Sequence, residues 1–182
     1  MTPQERSPIS FTVNVARLPK NGMPVSFDAN EAQRRDLATA HELLEVKRLH
    51  VDVDVIGWKK GGVKVTGKVT GEIVQACTVT LEPVDAIVEE RISAVFLPAG
   101  SRLAKPYNFV EGEIILDPEG EDLPEMFSGD EIDIGAIAEE FFTLGINPYP
   151  RKAGVEVAAT TGDDEEERGP LFEKLAALRN KL

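Results

Sequence analysis

Apolar residues fall on every second position through the middle of the chain. Leu49, Val51, Val53 and Val55 alternate with His50, Asp52 and Asp54, the period of a strand with one buried face. "WKKGG" at 58–62 reads as a turn. The next run keeps the phase, with Val63, Val65, Val69, Gly71, Ile73, Cys77, Val79 and Leu81 on odd positions. Lys64, Thr66, Lys68, Thr70, Glu72, Thr78 and Thr80 take most of the even ones, which predicts one ribbon from 63 to 81. Gly67 and Gly71 inside it predict a bulge or a sharp bend, as in a curling sheet. Alternation resumes over 84–97 through Val84, Ala86, Val88, Ile92, Ala94 and Phe96. Consecutive strands joined by short turns predict antiparallel pairing.

The flanks read as follows. ISFTVNVA, 9–16, is a strand, and LPKNGMPV, 18–25, a loop punctuated by Asn-Gly and two prolines. Residues 31–45 lack Gly and Pro, place Leu37, Ala40 and Leu44 at helical spacing, and follow Asn30 as N-cap, which predicts a helix. Residues 98–109 read as a loop, GEIILD as a short strand and PEGEDLPEMFSGDE as an acidic loop. IDIGAIAEEFFTLG reads as a second helix, with Asp133 as N-cap, Ile132 and Ile137 as a hydrophobic staple, Gly145 as the stop, and Ile137, Phe141 and Leu144 as its apolar stripe. Five consecutive acids, Asp163 to Glu167, mark residues 153–169 as a solvated linker. Leu171, Leu175, Leu178 and Leu182 recur at i, i+4, i+7 and i+11, an amphipathic helix over 170–182. The expectation is an α+β fold: a strongly bent antiparallel β-sheet or partly open barrel flanked by two or three helices, as one domain over 1–152, followed by the linker and the terminal helix.

Composition and charge narrow the class. Apolar residues make up 42%, enough for a core. No apolar run approaches the ~20 residues of a membrane helix. MTPQERSPIS has no apolar stretch of the kind a signal peptide carries, and a lone cysteine suits a reducing compartment, so a cytoplasmic protein away from the membrane is expected. The net charge of −12 is unevenly spread: residues 1–110 hold 14 Lys+Arg and 13 Asp+Glu (net +1), residues 111–182 hold 6 and 19 (net −13). The acidic half repels phosphate backbones and attracts basic partners.

Candidate chemistry is sparse. Cys77 shares the odd-numbered apolar face and reads as a small buried hydrophobe; Thr80 stands where a CxxC pair would place its second sulfur, and no nearby Lys, Arg or His points to a depressed thiol pKa. His41 and His50 lie in different predicted elements and read as solvated or hydrogen-bonded side chains rather than metal ligands. GxxxxGK[ST], GxGxxG and GxSxG are absent. Asp52 and Asp54 pair along a strand and read first as a solvated face. The basic clusters are Arg34-Arg35, Lys47-Arg48, and Lys59-Lys60 with Lys64 and Lys68; the last group, beside Trp58, is the candidate RNA contact. No metal, cofactor or small-molecule substrate is expected.

Two stretches add a resemblance. GEIVQACTVTLEPVDAIVEE resembles the central motif of the YceD family of large ribosomal RNA subunit accumulation proteins, a glycine and strand followed by CxRCLxPV and another strand. Cys77, Leu81, Pro83 and Val84 match; Val79 and Thr80 stand at the arginine and second cysteine positions. DEIDIGAIAEEFFTLGINPYPRKAG resembles the family's second block, with Ile132, Asp133, Glu140, Leu144, Pro148, Pro150 and Arg151 matching, and NPYPRKAG looks like its alphaproteobacterial branch. GPLFEKLAALRNKL resembles the closing PxxxLxxL helix. Some members carry CxxC and further cysteines after the proline block. With a single cysteine, this chain cannot hold a four-thiolate metal site.

The resemblance implies a role in large-subunit rRNA accumulation or processing, as a non-enzymatic ribosome biogenesis factor. Its partners would be large-subunit components: a basic ribosomal protein on the acidic half, rRNA on the lysine ribbon. The alternatives are a metal-dependent hydrolase or nuclease using Asp52, Asp54 or the acids of 111–133, and a regulatory protein-binding module of another pathway.

Overall fold

The computed structural model describes residues 6–101, 103, 109–110, 113–114 and 124–155. In chain order the elements are β1 (Thr12–Asn14), β2 (Met23–Asp28), α1 (Glu31–Ala40), β3 (Glu45–Trp58), β4 (Gly62–Ala76), β5 (Pro83–Pro98), β6 (Phe109–Val110), β7 (Glu113–Ile114), β8 (Glu125–Phe127), β9 (Glu131–Asp133) and α2 (Ile134–Leu144). A 3-10 turn, Lys59–Gly61, joins β3 to β4. No helix among the described residues is long and apolar enough to cross a membrane. The linker and terminal helix expected over 153–169 and 170–182 fall on 156–182, outside the described residues, apart from Ala153–Val155.

The main sheet runs β2-β3-β4-β5-β8. Its first four strands are antiparallel, as the short turns required, whereas β8 runs parallel to the end of β5, pairing Phe96 with Glu125 and Pro98 with Phe127. The antiparallel expectation therefore fails at this edge: β8 lies within the stretch read as an acidic loop, reached by a long connection rather than a hairpin. The sheet is open, because β2 and β8 are its two edges and do not pair. β1 with β9, and β6 with β7, form separate two-stranded pairs.

Alternation along β3 and β4 sends Leu49, Val51, Val53, Val55, Val63, Val65, Val69 and Ile73 into the core, where Val88, Ile92 and Phe96 of β5 join them. No register shift falls at Gly67 or Gly71, where a bulge or bend was expected; the shift lies opposite, in β3, between Val46 and Arg48. A side chain at Gly67 would stand 2.2 Å from the Asp52 carbonyl oxygen, so β3 presses onto β4 where only glycine fits. Gly71 serves packing: a Cβ there would lie 2.6 Å from Cε2 of the buried Phe142 ring.

Several boundaries depart from expectation. Residues 23–28 are a strand where a loop was read over 18–25, because Val25 packs into the core opposite Val53. Helix α1 has the expected Asn30 cap, strengthened by a reciprocal box with Gln33, but ends at Ala40 rather than 45. Glu42 takes φ 54 and Leu43 N–H bonds back to the Ala38 carbonyl, a left-handed closure of the kind usually built with glycine. Strand β4 ends at Ala76 rather than 81. Helix α2 has its Asp133 cap, but its buried stripe is Ile134, Ile137, Ala138 and Phe142; Leu144 points outward at 78% exposure.

Asp133 also ties down the N-terminal segment. Its Oδ1 accepts from Ala136 N (3.1 Å) and Phe11 N (2.8 Å), and its Oδ2 from the Ser10 hydroxyl (2.5 Å). The segment crosses α2 at Gly135, where a Cβ would meet the Ile9 carbonyl oxygen at 1.8 Å. Ile9 is buried by that crossing.

Candidate functional site

The three long strands end in two different surfaces. At one end, Cys77 to Glu82 turn from β4 into β5. Cys77 N donates to the Glu82 carbonyl (2.8 Å) and Leu81 N to the Cys77 carbonyl (2.9 Å), leaving Leu81 at φ 60 and 76% exposed. Cys77 is buried as expected, but Val79 and Leu81 do not share its face: both are exposed at a turn whose composition happens to alternate like a strand.

Residues 147–152 cross this turn. Thr78 donates its N–H (2.9 Å) and its hydroxyl (3.2 Å) to the carbonyl of buried Pro150. Gln75, also buried, donates Nε2 to the Asn147 carbonyl at 2.8 Å. Lys152 N points at Cys77 Sγ (3.5 Å), and Lys152 Nζ at Glu82 (2.9 Å), which holds the Glu82 carboxyl below its usual range. Contrary to expectation, the Cys77 thiol is lowered to about 6: the Thr80 hydroxyl is the largest cause, then the backbone N–H groups of Lys152, Thr80 and Val79, while burial opposes them. A nearby cation lowers a thiol, and hydrogen-bond donors do the same to a thiolate. Thr80, at the second cysteine position of the motif, thus bears on the Cys77 thiol, while Lys152 N points at its sulfur.

The remaining matched residues separate. Pro83 opens β5 opposite Ala76. Pro148 and Arg151 are exposed on the crossing strap. Asp133 caps α2 at a distance from the turn in the fold, and exposed Glu140, on α2, together with partial burial raises the Glu125 carboxyl, burial being the larger cause. The motif residues therefore do not converge on one centre.

At the opposite end, the β3–β4 tip carries Trp58, Lys59, Lys60 and Lys64 beside the end of β5. Lys59 Nζ lies 4.9 Å from the centroid of the Trp58 ring. Lys60 is exposed and holds a left-handed backbone, φ 53 and ψ 45. Lys59, Lys60 and Lys64 have no carboxylate within ion-pair distance among the described residues; Lys68 does, at 3.6 Å from Glu89, with Asp52 as its cross-strand neighbour. Among the described residues, three of the four candidate lysines thus lack an ion pair, exposed Lys59 and Lys60 and half-buried Lys64, whereas Lys68 pairs with Glu89 and faces Arg91 on β5. Neither Gly135 nor Gln75 stands out in the sequence; a glycine at the second position of a capped helix is the only signal, and it bears on Gly135 alone.

Between the ends, Asp52, Asp54, Thr66, Lys68, Glu89 and Arg91 rim a shallow groove of about 570 Å³ on the outer face. The histidines pair locally: His41 Nε2 donates to Glu139 (2.9 Å) and His50 Nδ1 lies 3.1 Å from Asp28. Thr143, 3.5 Å from the other ring nitrogen of His41, gives its hydroxyl proton to the Glu139 carbonyl at 2.8 Å.

The family model described as "Large ribosomal RNA subunit accumulation protein YceD" matches residues 65–179, well over half of the chain. The match takes in β4, the Cys77 turn, α2 and the 147–152 strap; Trp58, Lys59, Lys60 and Lys64 precede it. Nothing among curated proteins or solved structures matches the chain. With more than half of its length matched, from β4 through the Cys77–Pro83 turn and the Asp133-capped helix, this chain belongs to the YceD family.

Proposed function

We propose that the protein is a non-enzymatic factor in the accumulation of large-subunit ribosomal RNA, working in the cytoplasm by binding. The β3–β4 tip contacts rRNA, and the acidic C-terminal half steers a basic ribosomal protein. One observation carries the RNA contact: at the β3–β4 tip Lys59 lies over the Trp58 ring, and among the described residues neither it nor Lys60 or Lys64 has an ion pair. The family name supplies the process. The holding of a basic protein rests on the charge of residues 111–182. A binding role also suits side chains whose protons are committed locally, as in the His41–Glu139–Thr143 cluster, where no nucleophile faces a free base.

The test is a salt series with two ligands, a large-subunit rRNA fragment and a large-subunit ribosomal protein, on wild type and on the Lys59→Gln/Lys60→Gln/Lys64→Gln variant. RNA affinity should fall with salt and drop in the variant, while affinity for the basic protein persists in both. RNA binding that ignores the three substitutions, with no binding of the basic protein at low salt, would overturn the reading.

A further inference from the structure

We infer that the β3–β4 tip takes single-stranded RNA, with Trp58 as a stacking platform for one unpaired base and Lys59, Lys60 and Lys64 on the flanking phosphates. This inference rests on the RNA contact proposed above and names its mode. Three features of the tip, and one of duplex RNA, point to it. First, the Trp58 ring is half-buried, so it is anchored, yet one face is open enough to receive the Lys59 ammonium at 4.9 Å. A ring face that accepts a cation accepts a nucleobase, and Lys59, released from the ring, then has a phosphate within the reach of its four-carbon stem. Second, Lys60 holds a left-handed backbone that glycine or asparagine would take with less strain, and Gly61 follows it with φ 80. Lys60 is exposed at this hairpin apex, so its charge stands in solvent at the end of the sheet.

Third, the apolar neighbours are flat rather than pocketed. Ile56 is exposed opposite Lys64 across the β3–β4 pair, and Gly62 packs under the Phe96 carbonyl and Leu97. The tip offers a ring and a ledge. Fourth, a duplex keeps its base faces stacked inside and presents phosphates only, so it can use the lysines but not the ring. The ring has a role only with a strand whose bases are free, such as unpaired segments of a large rRNA before they fold.

Trp58 is the only tryptophan in the chain, so its fluorescence reports on the tip alone. The experiment titrates the full chain with a short pyrimidine-rich oligoribonucleotide and with the duplex of the same sequence. Trp58 emission is followed in wild type, and anisotropy of end-labelled RNA in wild type, Trp58→Ala, Trp58→Phe and the three-lysine variant. The single strand should quench Trp58. Its affinity should fall about 5- to 150-fold in Trp58→Ala, the range for loss of one stacked base, and much less in Trp58→Phe, which keeps a ring. The slope of log K against log salt should be about −2 for three lysines on a single strand. Trp58→Phe, which keeps a ring, also guards against an unfolded Trp58→Ala, and the quench and the single-strand preference are read in wild type. Binding that falls in the lysine variant but leaves Trp58 emission and Trp58→Ala unchanged overturns the stacking mode alone. Equal quench and affinity for single strand and duplex overturn the single-strand preference. No RNA binding by any of the four overturns both the mode and the contact beneath it.

Discussion

Gly71 and Phe142 test the packing that holds helix α2 to the sheet. Phe142 is fully buried, and its ring occupies the space that Gly71 leaves on β4, with Leu49 beside it. Phe142→Ala removes a buried ring and should cost about 3–5 kcal/mol. Gly71→Ala places a Cβ 2.6 Å from Cε2 and 3.3 Å from Cδ2 of that ring. Overpacking of this kind costs roughly 1–3 kcal/mol. Against it stands about 0.5–1 kcal/mol gained when alanine replaces glycine inside a regular element. In the Phe142→Ala background the clash disappears and only the gain remains, so Gly71→Ala should then stabilise. The two substitutions should therefore couple by about 1–3 kcal/mol, the double variant being more stable than additivity allows. The assay is urea unfolding of the four proteins, with Trp58 fluorescence and circular dichroism as probes. Equal slopes would show that stability, not the denatured state, has changed. If Gly71→Ala costs the same in both backgrounds, within the ~0.5 kcal/mol of additive pairs, the ring does not depend on the missing Cβ and the packing account is wrong.

Gly135→Ala should be among the most damaging single changes, about 3 kcal/mol or more, because its Cβ would collide with the Ile9 carbonyl; a melting curve like that of wild type would refute the crossing. Asp133→Ala should cost about 1–2 kcal/mol for a lost cap, and more for the freed Ser10 and Phe11 bonds, and should expose Ile134 N–H, which bonds to Phe11 O, to hydrogen exchange. The Cys77 thiol sits at about 6 in the fold against an ordinary 9.0, so between those values the unfolded chain binds the extra proton. Stability should then rise with pH across that window and be lost as pH falls through about 6. In Cys77→Ser this slope should vanish; an identical pH profile for both proteins would show that the thiol is not ionised in the fold.

The strand core was legible because period-two alternation is strong wherever one face is buried, as at Leu49 to Val55. The same cue misled at Thr78 to Leu81, where a turn carries alternating polar and apolar residues, and only the bonds among Cys77, Leu81 and Glu82 reveal it. Caps were legible at Asn30 and Asp133, since a short acceptor before a helical run has one local meaning. The end of α1 was not, because a glutamate at 42 does what glycine usually does. β8 and its parallel pairing depend on contacts some thirty residues apart, which no local pattern carries. At the basic tip the residue types were visible, but not which lysines stay free: Lys68 has Asp52 opposite it on β3 and pairs with Glu89, whereas Lys64 faces Ile56 and Val95. The Cys77 donors come from Thr80 and from Lys152, far along the chain, so the depressed thiol was beyond local reading.

The central claim, that this chain supports large-subunit rRNA through its basic tip, is tested most directly in cells lacking the protein. The measurement is the ratio of large- to small-subunit rRNA after complementation with wild type or with the Lys59→Gln/Lys60→Gln/Lys64→Gln variant, each shown to be folded and equally abundant. The account predicts a lowered ratio without the protein, recovery with wild type, and little recovery with the variant. An unchanged ratio on loss of the protein contradicts the role, and full recovery with the variant contradicts the tip as the place where it acts.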